Sequence, residues 1–185
     1  MIDDAVPSCS TPLPASTLDV RVGSSLGDAE EMASGNMYLN SSDPEPVYVS
    51  DNRKVEKRFT RITIPPGATI SNAYIQFQAD ERSSGATDMT IRVEASGNAQ
   101  TFSSKTNNIS NRPLTTGTVN WLLNPWSTVG ASGVDQQTPD ISSAIQEIVD
   151  QSAWSAGNSL VVIITGTGER VAESDDGLRA TASFC

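Results

Sequence analysis

The sequence predicts a mostly β chain: a jelly-roll β-sandwich with one short helix packed on it. Three observations carry that expectation. From Ile62 to Glu81 the chain reads ITIPPGATISNAYIQFQADE, two strand-like runs parted by Pro65-Pro66-Gly67. In the second run Ala73, Ile75, Phe77 and Ala79 alternate with Tyr74, Gln76 and Gln78, the period of a strand with one buried and one wet face. Further runs of the same kind recur along the chain, and a single helical pattern sits among them.

In chain order, Met1–Ser16, with Pro7, Pro12 and Pro14, reads as an extended arm, and residues 17–185 as one sandwich domain. TLDVRV at Thr17–Val22 alternates as a first strand. Short segments at Asn36–Leu39 and Pro46–Val49 interrupt the loops that follow. Strands are expected at Arg58–Ile64, Thr69–Ala79 and Thr87–Ala95. The Asn-, Ser- and Thr-rich stretch Ser96–Thr116 reads as a long irregular connection, and Thr118–Leu122 as a strand. Thr138 is the expected helix N-cap, with Pro139 at the first helical position and Asp140 at the positive helix end. Ile141, Ile145, Ile148 and Val149 then form a core-facing stripe, and Gly157 is the expected stop. Leu160–Ile164 is continuously apolar, as suits a strand covered on both faces. Gly166 and Gly168 turn the chain, and Leu178–Phe184 closes the fold.

Composition narrows the function classes. The net charge is −10, the wrong sign for phosphate backbones or anionic lipid, so no nucleic-acid partner is expected. There is no histidine, which removes Ser-His-Asp and Cys-His catalysis and the usual zinc sites. No stretch is long and apolar enough for a membrane span. The start lacks a basic and then apolar leader, and reads as a mature start. Cys9 and Cys185 form no CxxC motif. Free thiols are one reading; a disulfide made in an oxidising compartment is the preferred one. Closing so long a loop would remove roughly 5 kcal/mol of unfolded-chain entropy.

Four acidic groups stand out: Asp28, Glu30 and Glu31; Asp43 and Glu45; Asp80 and Glu81; and Glu173, Asp175 and Asp176. Calcium takes six to eight hard oxygen ligands, and acids at strand ends and turns can supply them. The first, third and fourth groups are the expected calcium ligands, although none has EF-hand spacing; the bland alternative is a solvated acidic surface. Paired carboxylates could also cleave glycosides, but acids in short hydrophilic turns hold a raised pKa poorly. Of Trp121, Trp126 and Trp154, Trp126 in LNPWSTVG is the candidate sugar platform, against the commoner role of a tryptophan in a core. Asn40 and Asn108 begin glycosylation sequons.

RFTRITIPPGATISNAYIQFQADE and the later NPWSTVGASGVDQQTPDISSAIQEIVDQSAWSAGNSLVVIITGTGERVAES resemble DNRLRE-type domains, over roughly Leu18 to Asp176. The resemblance implies a jelly-roll sandwich related to carbohydrate-binding modules of bacterial secreted proteins, with a metal site near the first-strand acids. The expectation is therefore a non-catalytic, calcium-stabilised extracellular module for a glycan or cell-surface component. The alternative is a filament or matrix subunit that self-assembles through its N-terminal arm, and the third reading is a carbohydrate-active enzyme.

Overall fold

The computed structural model describes residues 16–22, 27–39 and 53–173, and the backbone of 177–183. Among the described residues nine strands form two antiparallel sheets. They are β1 (Ser16–Arg21), β2 (Asp28–Glu31), β3 (Met37–Tyr38), β4 (Lys54–Ile62), β5 (Thr69–Gln76), β6 (Thr87–Val93), β7 (Val119–Leu123), β8 (Asn158–Thr167) and β9 (Gly177–Ser183). The smaller sheet runs β1-β9-β5 and the larger β3-β2-β4-β8-β6-β7. The expected β-sandwich class holds, with three strands set against six.

The core follows from the alternation. Ala73, Ile75, Phe77 and Ala79 are all fully buried, and they meet Phe59, Met89, Ile91, Val93, Val162 and Ile164 from the larger sheet. Phe77 stacks on Trp121 with ring centroids 5.7 Å apart. β8 is buried on both sides as its apolar run predicts. Leu160, Val162 and Ile164 enter this core, while Val161 and Ile163 enter a second, smaller one on the outer face of the sheet.

The helix α1 (Ser142–Val149) buries Ile145, Ile148 and Val149, with Ile141 just before it. Its start differs from the sequence expectation: Ile141 stands at the N-cap, Thr138 serves a strand edge instead, and Asp140 serves both that edge and the first amide of the helix. Thr138 Oγ1 accepts from the Ile75 amide at 3.0 Å, and the Thr138 amide donates to the Ile75 carbonyl. Asp140 Oδ1 accepts from the Ala73 amide and from Ser142, and Gln146 Oε1 from the Ile70 amide. The free edge of β5 is thereby satisfied before another chain can pair with it. The chain ends its helix at Val149 and turns through Trp154, whose Nε1 donates to the Ile64 carbonyl.

Among the described residues no helix is long and apolar enough to cross a membrane. Pro46–Val49, Cys9 and Cys185 lie outside the described residues, as do Asn40, Asp43 and Glu45.

Candidate functional site

The GDAEE segment is β2, a strand rather than a loop, and its pleat divides the acids between two faces. Asp28 and Glu30 point coreward, opposite Lys57 and Val55. Asp28 Oδ1 lies 3.1 Å from Lys57 Nζ, and Glu30 Oε2 lies 3.3 Å from Arg53 Nη1. Glu31 shares the outer face with Ala29. Alternation therefore prevents the three from converging on one cation, and each already faces a basic side chain of the protein. The residues present do not fit the metal site that the resemblance implies for this strand.

The other expected ligands lie elsewhere. Ala79 bridges Ala172, so the Asp80 amide donates to the Val171 carbonyl and the Glu173 amide to the Gln78 carbonyl. Asp80, Glu81 and Glu173 thus flank one short bridge, while Asp175 and Asp176 lie outside the described residues. Among the described residues no group of three or more acidic side chains is placed to hold a metal ion. Trp126 is 0% exposed: its ring lies 6.5 Å from that of Phe77 and its Nε1 donates to the Asp135 carbonyl. No face of that ring is open to stack on a sugar.

What the sequence left unseen is a charged cluster on the outer face of the larger sheet. Residues 96–116, read as an irregular connection, fold back across β4, β8 and β2. Ala99, Phe102 and Ile109 come down from this cover onto Ala29, Val161 and Ile163. Gly97 starts it with a backbone approach so close that an added Cβ would stand 2.6 Å from the Ala153 carbonyl carbon. Under the cover lie Glu31, Glu56, Glu94 and Arg58, and Arg112 reaches down to them from the cover itself.

Glu31, 2% exposed, is fully engaged. Its Oε2 accepts from the Ile109 amide at 2.7 Å and the Ser110 amide at 2.9 Å, and its Oε1 from the Ser110 hydroxyl and from Lys54 Nζ. Burial alone would raise its pKa. The bonds from the Ser110 side chain, the Ser110 and Ile109 amides and the Lys54 charge outweigh that and hold it below the ordinary range.

Glu56, one strand over, is the opposite case. It is 0% exposed, and neither carboxyl oxygen has a hydrogen-bond partner among the described residues. Arg112 Nε stands 3.6 Å from Oε2, but its Nη1 is committed to Glu94 at 2.5 Å and to the Gln100 carbonyl. Burial dominates, Arg112 opposes it, and Glu94 and Glu31 add to it; the Glu56 carboxyl is pushed from about 4.5 up to about 8.

A raised carboxyl beside two other acids is the raw material of acid–base catalysis. Here it is closed off. Phe102 lies under the Arg112 guanidinium (4.8 Å), and no substrate atom can reach Glu56 while the cover is down. A signal for the cluster does exist in the sequence. KVEKRF at Lys54–Phe59 alternates Val55, Lys57 and Phe59 against Lys54, Glu56 and Arg58, a strand with charge on both faces.

Among the described residues the outer face is left open beyond the cover. There the strand register sets Asn120, Thr90 and Thr165 in one row and Leu122, Asp88 and Thr167 in the next. These side chains make a flat patch of hydroxyl, amide and carboxylate groups around Leu122, which is 77% exposed. Compared with known proteins, the chain matches no family model and no curated protein. What fold and site define is a β-sandwich with a roofed charge cluster and an open polar sheet face.

Proposed function

We propose that the chain is a non-catalytic extracellular module that binds a glycan or another cell-surface component through the uncovered half of its larger sheet. The observation that carries this reading is the flat patch of Asn120, Thr90, Thr165, Leu122, Asp88 and Thr167. Extended sugars and surface polymers meet such a face through hydroxyl and amide hydrogen bonds, and Leu122 supplies an apolar contact. The roofing of Glu56 supports a binding role over the enzymatic one, since this raised carboxyl is shut away.

Binding of the intact chain to a panel of insoluble polysaccharides and to whole cells tests the reading. Thr90→Lys with Asn120→Lys is expected to cut retention at least tenfold on any ligand that the parent chain holds. Retention equal in parent and variant would move the binding face elsewhere.

Calcium belongs to this reading only at the Ala79–Ala172 bridge, which Asp80, Glu81 and Glu173 flank before the chain runs on to Asp175 and Asp176. The expected outcome is a melting temperature higher in calcium than in EDTA. Coincident melts would remove calcium from the account.

A second reading, a self-assembling filament or matrix subunit, has its own observation. β1 is the edge of the smaller sheet, bonded in it only to β9, and residues 1–15 run directly into it. Deletion of residues 1–15 that dissolves large particles while leaving the melt unchanged would favour that subunit.

A further inference from the structure

We propose that the segment from Ala99 to Arg112 is a proton-held cover, closed over the larger sheet in mild acid and released progressively as the medium turns alkaline. The proposal stands on what lies between cover and sheet. Glu56 projects from β4 into a closed space, with both oxygens lacking a hydrogen-bond partner among the described residues. An ionised carboxylate in that position would be buried with no hydrogen bond and only the shared Arg112 guanidinium at 3.6 Å, which is unfavourable. A protonated one is tolerated there. Lifting the cover gives Glu56 water, so opening and ionisation are coupled.

The groups that face Glu56 are few, and they come from every element around it. Glu31 stands on β2, Lys54 and Arg58 on β4 itself, Glu94 just past β6, and Arg112 on the cover; β8 offers only Val161 and Ile163. Of these, Arg112 favours an ionised Glu56 most, ahead of Lys54, and it is already bonded to Glu94, the Gln100 carbonyl and Asn108, while Lys54 is bonded to Glu31. Arg58 donates to the Ala99 carbonyl at 3.2 Å and to Ser159 at 2.9 Å, which fastens the start of the cover. Glu31 fastens its far side through the Ile109 and Ser110 amides. The cover is thus held at two rims by polar bonds, over a centre where one carboxyl must stay neutral.

The direction follows from linkage. Glu56 has a closed-state pKa of about 8, raised above its ordinary 4.5. Its contribution to closure is whole below about 4.5 and is lost as pH rises to about 8, beyond which no more is lost. Glu31, held below the ordinary range, acts in the other sense: its contribution is present above about 4.5 and falls away in acid. Closure is therefore tightest near pH 5.

Amide hydrogen exchange on the full chain, corrected for the intrinsic pH dependence of exchange, reads this directly. The cover amides of Ala99, Ile109 and Ser110 are expected to be less protected than the core amides of Met89 and Ile91. Their protection should fall about tenfold per pH unit, as one proton release requires, from pH 5 to 8, and then level. Glu56→Gln should flatten that profile. Glu94→Gln removes a charge that raises the Glu56 pKa and frees Arg112 to face Glu56, so its slope should end at a lower pH than the parent's. A flat parent profile, a slope that survives Glu56→Gln, or a Glu94→Gln slope that runs to the parent's end point or beyond would each overturn the proposal. Cover amides exactly as protected as the core would also overturn it, since the cover would then open only by global unfolding. If Glu56→Gln does not fold, the parent and Glu94→Gln profiles decide by the same criteria.

Discussion

Glu31 and Glu56 lie on adjacent strands, face the same way and are covered by the same segment, yet their carboxyls move in opposite directions. Both are nearly or wholly inaccessible, but Glu56 lies in the denser surroundings, and the two also differ in their donors. Glu31 receives two backbone amides, a hydroxyl and a lysine; Glu56 receives no hydrogen bond from the described residues and only a shared guanidinium at 3.6 Å. A buried carboxylate is stable where the chain wraps donors around it, and becomes a neutral acid where it does not.

Substitutions can sharpen that contrast, and Arg112→Ala should have the largest effect. It leaves Glu94 without its guanidinium and removes the cation nearest Glu56, at a cost of about 3–5 kcal/mol. Chemical denaturation at pH 7 measures it, and a loss below about 1 kcal/mol would show that the cluster is solvated in solution. Glu31→Gln comes next. It replaces a fully bonded carboxylate and orphans part of the donor set, for an expected loss of about 2–3 kcal/mol at pH 7. That loss should shrink as pH falls through the depressed Glu31 pKa, because the parent then loses the same charge. Ser110→Ala removes one donor from Glu31 and should cost about 1 kcal/mol. Glu56→Gln is the smallest near pH 5, where the parent already carries a neutral side chain. It should turn stabilising relative to the parent as pH rises toward 8.

How far this was legible in the sequence depends on the physics behind each element. The β5 alternation and the Ile141–Val149 stripe read correctly because apolar side chains have one stable destination, and all of those positions are buried. Thr138 and Asp140 look like helix-capping residues, and they do cap backbone amides. Thr138 caps a β5 amide, and Asp140 caps one of β5 and the first of the helix, since a short polar side chain satisfies whichever orphan donor the tertiary fold brings near. GDAEE read as a metal loop because a four-residue strand with three acids carries no apolar period. Its pleat appears only once Lys54 and Lys57 stand opposite. Trp126 lay in a sequence with loop character, yet its loop folds inward and buries the ring. The Glu56 cluster was the least legible: KVEKRF marks a strand with charge on both faces, but nothing in it tells that a distant segment will cover the glutamate.

The most direct measurement is a ¹³C-detected pH titration of the glutamate side-chain carboxyls in the native chain. The account predicts that Glu31 titrates below the ordinary carboxylate range and Glu56 at about 8. Two ordinary titrations near 4.5 would contradict it, since neither carboxyl could then be sealed under the cover as described.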